Sequence, residues 1–151
     1  MGEILRLAEV LYGSMNTRTY PAWRTEAHED LLERIGHDLV AVVADDDSVD
    51  GKLACMAVAV VGRGIRSPRR PTTVTSYIEW MATDDTHRGK GAGTRVLTRL
   101  LDELRSRDVT AVDLNSTERA IGFYERAGFA AEGPVAMSLR LLPVPEEARP
   151  R

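Results

Sequence analysis

The chain has 151 residues and a mass of 16.7 kDa, 43% hydrophobic and 28% charged, which suits one globular domain with its own core and leaves no room for two. Its longest uninterrupted apolar stretch, 53–61, is less than half of the about 20 residues a spanning helix needs, and a net charge of −3 argues against a generic nucleic-acid binder. Cys55 is the only cysteine, so an intramolecular disulfide and a four-cysteine zinc site are excluded.

The amino terminus, Met1-Gly2-Glu3-Ile4-Leu5-Arg6, has neither a basic n-region nor an apolar h-region, and Arg6 stands where a myristoylation signal requires Ser or Thr. This predicts a cytoplasmic protein. His28, His37 and His87 are scattered without i, i+4 pairing, so no metal site is expected. Cys55 sits in Leu53-Ala54-Cys55-Met56-Ala57-Val58, the setting of a core strand, where a thiol packs as a small hydrophobe more often than it reacts.

Ile4, Leu7, Ala8 and Leu11 recur at i, i+3, i+4 and i+7 and predict a helix over 3–15. Over 20–35, opened by Pro21, the apolar residues Trp23, Ala27, Leu31, Leu32 and Ile35 repeat at helical spacing with Glu26, Glu29, Asp30 and Glu33 between them. Gly36 suits the end of that helix. The runs 39–44 and 52–61, separated by the turn Asp45-Asp46-Asp47-Ser48, read as a hairpin.

Two glycines, two prolines and four arginines make 62–71 a loop, and 74–82 is strand-like again. Between 91 and 107, Val96, Leu97, Leu100, Leu101 and Leu104 form one stripe while Arg95, Thr98, Arg99, Asp102, Glu103 and Arg105 face away, which predicts an amphipathic helix. A short strand over 109–114, a helix over 118–127 closed by Gly128, and a strand over 135–142 follow. The domain therefore occupies 1–142, and the charged, proline-rich tail 143–151 is expected to be loosely ordered.

The informative stretch, Thr83-Asp84-Asp85-Thr86-His87-Arg88-Gly89-Lys90-Gly91-Ala92-Gly93-Thr94, joins a strand to the amphipathic helix. A glycine-rich turn at a helix N-terminus bares backbone N–H groups and carries partial positive charge, so it can cradle a pyrophosphate, with Arg88, Lys90 and Arg95 adding full charges. A Walker loop is excluded because Gly91 follows Lys90. The dinucleotide fingerprint is excluded because Gly89, Gly91 and Gly93 are evenly spaced. The glycines alone also fit a plain helix-capping turn.

Arg88-x-x-Gly91-x-Gly93 resembles the R/Q-x-x-G-x-G/A pyrophosphate loop of the GNAT superfamily of acyl-CoA-dependent N-acetyltransferases. About thirty residues later, Ala120-Ile121-Gly122-Phe123-Tyr124-Glu125-Arg126-Ala127-Gly128-Phe129 resembles that family's A-x-x-F-Y-E-x-x-G-F segment. The resemblance covers roughly 39–142. It implies an α/β (α+β) fold with a mixed, mostly antiparallel central sheet and helices on both faces, acetyl-CoA as acyl-donor co-substrate, and direct attack by the amine of a small-molecule or protein acceptor. Nucleic acid and membrane are not expected as partners.

Two departures stand out. Thr117 occupies the position where the family carries Asn, replacing an amide by a hydroxyl. The chain also starts directly in its first helix, so the usual first strand is missing and the exposed sheet edge predicts a homodimer.

The resemblance assigns roles to particular residues. Tyr124 matches the tyrosine whose phenol lies near the CoA sulfur and can protonate the leaving thiolate; its bland alternative is packing beside Phe123 and Phe129. Glu79 interrupts the apolar strand Tyr77-Ile78-Glu79-Trp80-Met81, where a carboxylate is costly unless paired or facing a cleft, so it is a candidate base acting through water; pairing with Arg66 or Arg69, or facing solvent, are the alternatives. Met81, Ala82 and Thr83 match the strand whose backbone pairs with the pantetheine arm. Gly89 and Ala92 fit the loop by size, Lys90 and Gly93 belong to it, and Thr94 supplies its last N–H.

Asn115 and Thr117, flanking Ser116, lie where splayed strands open the acetyl cleft; Asn115 equally suits a strand-end turn. Acceptor specificity falls to the first two helices and the 62–71 loop. Arg63, Arg66, Arg69 and Arg70 either attract an acidic group or form a solvated loop, and Trp23 either lines the acceptor pocket or packs in the core. The competing readings are a non-catalytic acyl-CoA-binding regulatory domain and, through those arginines, a nucleic-acid module.

Overall fold

The computed structural model describes residues 1–68, 70, 73–131, 136–139 and 141. Two helices, α1 (Gly2–Ser14) and α2 (Trp23–Arg34), precede the antiparallel hairpin of β1 (Leu39–Asp45) and β2 (Leu53–Arg63). Strand β3 (Val74–Thr83) extends the sheet antiparallel to β2. Helix α3 (Ala92–Ser106) then carries the chain to β4 (Ala111–Asp113), which runs parallel to β3. A 3₁₀ turn, Glu118–Ala120, leads into α4 (Ile121–Arg126), and the sheet order is β1-β2-β3-β4.

The unbroken apolar run of β2 has a structural cause: this strand is covered on both faces. Cys55, Ala57 and Ala59 point to the α3 side, where they meet Val96, Leu97, Leu100 and Leu104. Met56 and Val58 point the other way, against Ile4, Leu7 and Ala8 of α1 and Ala27 and Leu31 of α2. Small residues on the α3 face leave room for the stripe, of which Val96, Leu97, Leu100 and Leu104 are at most 2% exposed and Leu101 is partly buried; burying each of the four contributes about 1.5–3 kcal/mol. Helix α3 stops where Asp108 turns to φ +59, with Val109 N donating to Leu104 O at 3.1 Å.

Helix α2 begins three residues later than its periodicity predicts, because the residue before Pro21 is pushed out of the helical region and 20–22 form a turn. It also ends at Arg34: Ile35 is already extended and bridges to Leu39, and Gly36 takes φ +89 one residue beyond. The helix expected over 118–127 divides into the 3₁₀ turn and α4. No strand stands before α1 among the described residues, so β1 forms the outer edge. Of the strand expected over 135–142, residues 135, 140 and 142 lie outside the described residues, and 136–139 and 141 carry no strand pairing; the tail 143–151 also lies outside them. No helix among the described residues is long and apolar enough to cross a membrane.

Candidate active site

The glycine loop is anchored at its entrance by Asp84, a buried carboxylate directly after β3. Its oxygens accept from Thr86 N at 3.1 Å and Thr86 Oγ1 at 2.7 Å, closing the 3₁₀ turn Asp85–His87. Arg6 Nη1 donates to it at 2.7 Å, Lys52 Nζ lies at 3.4 Å, and Asp84 N donates to Ala54 O at 2.8 Å. Arg6 in turn reaches Glu3 Oε2 and Leu53 O, both at 2.8 Å. The Thr86 hydroxyl first, then the Thr86 amide and the Arg6 and Lys52 cations, hold the Asp84 carboxyl well below the usual carboxylate range against its burial. One side chain thus ties the start of the loop to α1 and β2.

Beyond that anchor the backbone takes left-handed turns at Gly89 (φ +73) and Gly91 (φ +80), and Gly91 stands as the N-cap of α3 with no side chain to cap it. The first donor bonded back is Arg95 N, to Gly91 O at 3.1 Å. The N–H groups of Ala92, Gly93 and Thr94 therefore have no helical acceptor, and they stand where the helix field is positive. Lys90 and Arg95 are exposed beside them, and Arg88 is held by an exposed ion pair with Asp85 at 3.0 Å. Bare N–H donors, left-handed glycines and surrounding cations are what a pyrophosphate requires.

A groove of about 460 Å³ runs from this loop along the end of β3. It brings together Met81, Ala82, Thr83, Arg88, Gly89, Gly93, Thr117 and Tyr124. Lys90, Gly91, Ala92 and Thr94 adjoin Gly89 and Gly93 in the chain but do not line it, and Asn115 lies elsewhere, in a cavity of about 500 Å³. The far wall was not foreseen: Leu11, Ser14 and Met15 of α1 face Arg119 and Phe123, and Arg119 Nη2 meets Ser14 O at 3.5 Å. Only the apolar stripe of α1 hinted at a buried face there.

Tyr124 borders both cavities. Its ring stands edge-on to Phe123 at 5.0 Å and to Phe129 at 5.6 Å, and burial pushes the phenol above its ordinary 10.0. It stays protonated at neutral pH and can donate. Cys55 lies beneath the groove, fully buried, with Sγ 3.2 Å from Thr83 Oγ1; burial raises its thiol, so it is no thiolate.

Glu79 is placed differently from Tyr124. Val58 pairs with Trp80 and Ala59 with Ile78, so Glu79 is the extra residue of a β-bulge, exposed and without an ion pair among the described residues. Arg69 lies outside the described residues. Glu79 lines a third cavity, of about 350 Å³, with Trp80, Trp23 and Tyr12. Trp23 is thus a wall of that cavity as well as a packing residue. Arg70 is engaged by Asp113 of β4 at 2.6 and 2.7 Å, away from the groove.

Residues 8–129 match the Acetyltransferase (GNAT) family. A glucosamine 6-phosphate N-acetyltransferase of Oryza sativa subsp. japonica is 34% identical over 121 residues, 80% of this chain and 69% of the relative. Among solved structures, a predicted acetyltransferase with acetyl-CoA from Clostridium acetobutylicum aligns at a TM-score of 0.78 and 19% identity, over 91% of this chain and 87% of that one. A glucosamine-6-phosphate N-acetyltransferase from Arabidopsis thaliana aligns at 0.68 and 22% identity, over 90% of each chain. These two share the fold. The matched span takes in both the glycine loop and the Tyr124 segment, and the chain belongs to the GNAT acetyltransferase family.

Proposed function

We propose that the chain transfers an acetyl group from acetyl-CoA to an amine by direct attack, with the α3 terminus holding the pyrophosphate and Tyr124 supplying the proton for the departing sulfur. The observation that carries this is the groove itself, which runs from Gly93, in the first turn of α3 beside the bare N–H groups of Ala92 and Thr94, to the buried, protonated Tyr124 phenol. Acetyl-CoA supplies a thioester carbonyl, an electrophile open to an uncharged amine. Met81, Ala82 and Thr83 bind the extended arm along their strand edge, and Thr117 takes the place of the family's amide with a hydroxyl.

As the amine nitrogen bonds to the carbonyl carbon and the carbon–sulfur bond breaks, Tyr124 Oη gives its proton to the sulfur and recovers one from solvent. The proton lost by the amine passes through water to the Glu79 carboxylate, which is exposed two residues before Met81 of the groove. The only thiol, Cys55, is buried and protonated, so it offers no acyl-enzyme route and direct attack is the simpler reading. A free buried thiol suits a reducing compartment such as the cytoplasm. The outer edge of β1, with Val43 exposed upon it, is where a second copy of the chain would dock; light scattering reads either twice 16.7 kDa or the monomer mass.

The test combines calorimetry with acetyl-CoA and thiol release over a panel of amines that includes glucosamine 6-phosphate, with mass spectrometry of the product. Binding plus an acetylated amine is expected. Binding without any acetylated product would favour a regulatory acyl-CoA-binding domain, and no binding would overturn the reading.

A further inference from the structure

The reaction needs a place for the amine, and the cavity next along β3 from the groove has a definite chemistry. Glu79 and Trp80 line it, while the following three residues, Met81, Ala82 and Thr83, line the groove; on α1 the corresponding neighbours are Tyr12 and Leu11. Three aromatic rings form one wall. Tyr12 stands at right angles to Trp23, with centroids 5.5 Å apart, and Trp23 lies 6.2 Å from Trp80. Trp80 Nε1 donates to Tyr12 Oη at 2.8 Å, which fixes the rings relative to one another.

The lining is also acidic. Glu26 and Asp30, one turn apart on α2, and Glu79 on the bulge all line the cavity. Glu26 accepts from the neutral Tyr20 hydroxyl, and neither Asp30 nor Glu79 has an ion pair among the described residues. The one cation on the lining, Arg34, is taken up by Asp38 through three hydrogen bonds of 2.6–3.2 Å. Three carboxylates therefore line the space against one cation, Arg34, which is bonded to Asp38 and also lies within electrostatic reach of Asp30 and Glu79. Electron-rich ring faces and carboxylates together attract a desolvated cation and repel a phosphate or carboxylate.

Resting on the acetyltransferase reading above, we infer that this aromatic and acidic cavity is the acceptor site and that it takes an amine bearing a second cationic group, the cation held here while the reacting amine enters the groove. The reacting nitrogen must be uncharged to attack, so it gains nothing from the carboxylates. The second charge does.

The sequence contains two tryptophans, Trp23 and Trp80, and both line this cavity, so intrinsic fluorescence reports on it directly. The probe is pentyltrimethylammonium, which fits a cation site and cannot be acetylated. A saturable change in tryptophan emission is expected, weakened about threefold or more by Asp30→Asn, a substitution at an exposed helix position. In thiol release, pentane-diamine should exceed pentylamine in kcat/KM by about fivefold or more, and an aminopentanoate should fall below both. No emission change, or a diamine no better than the monoamine, overturns the inference. If pentylamine or glucosamine 6-phosphate is nevertheless acetylated, the acetyltransferase reading stands and this one alone falls.

Discussion

Phe123 lies directly against the backbone of Gly93: a Cβ built on that glycine would stand 3.4 Å from Phe123 Cε2 and 3.4 Å from Thr83 Oγ1. Gly93 has no left-handed dihedral to satisfy, so its role is to let α4 and the end of β3 approach the first turn of α3. An alanine just fits at ordinary contact distance and lowers the entropy of the unfolded chain, worth about 0.4–1 kcal/mol. Gly93→Ala should therefore keep or slightly raise stability. Gly93→Val should displace Phe123 and raise the acetyl-CoA KM, which steady-state kinetics on the folded protein measure.

Gly91 behaves differently, because the constraint is its φ of +80 rather than its neighbours; the nearest atom to a built Cβ is the flexible end of Arg95 at 3.5 Å. A β-branched residue there carries a strain of about 1–2 kcal/mol and turns the first N–H groups of α3 away from their shared focus. Calorimetry on Gly91→Val should show acetyl-CoA affinity at least about tenfold weaker, equivalent to 1.4 kcal/mol, with the fold retained. Unchanged affinity would reduce the loop to a helix cap.

Asp84→Asn tests the anchor between α1, β2 and the loop. The folded carboxyl titrates far below its ordinary 3.8, so its stabilisation is fully present above that value and is lost as pH falls through the range beneath it. At neutral pH the variant should be less stable by about 1–3 kcal/mol, since Arg6 and Thr86 lose a charged acceptor. The gap should narrow as denaturation is repeated at progressively lower pH below 4, a trend that urea melts resolve. A gap independent of pH would contradict the assignment.

Local signals carried most of what was legible in the sequence. The stripe from Val96 to Leu104 is a period within one helix, the glycine loop is six consecutive residues, and the Tyr124 segment is ten; each needs nothing from elsewhere in the chain. What stayed hidden joins distant positions. Arg6 meets Asp84 across 78 residues, and Trp80 meets Tyr12 across 68. Neither pair has a spacing that periodicity can register. The bulge at Glu79 depends on the register of β2 against β3, so the sequence exposed an odd carboxylate without showing that it turns into an aromatic cavity. Asn115 and Thr117 are two residues apart, yet they fall in separate cavities, with Tyr124 bordering both.

The pH profile follows from the same geometry. Burial raises the Tyr124 phenol above 10.0, so the donor proton is retained throughout the neutral and mildly alkaline range. Stopped assays of kcat should show no fall attributable to this group below pH 10. A descending limb near neutrality that disappears in Tyr124→Phe would mean that the phenol is not held as described.

The most direct measurement is kcat of Tyr124→Phe with acetyl-CoA and a productive amine. Phenylalanine keeps the ring and its contacts with Phe123 and Phe129, and deletes only the proton donor. General acid catalysis contributes about 10²- to 10⁴-fold, so kcat should drop within that range while the acetyl-CoA KM stays nearly constant, as for an interaction made in the transition state. A kcat within about threefold of wild type would remove Tyr124 from the chemistry and contradict the proposed transfer.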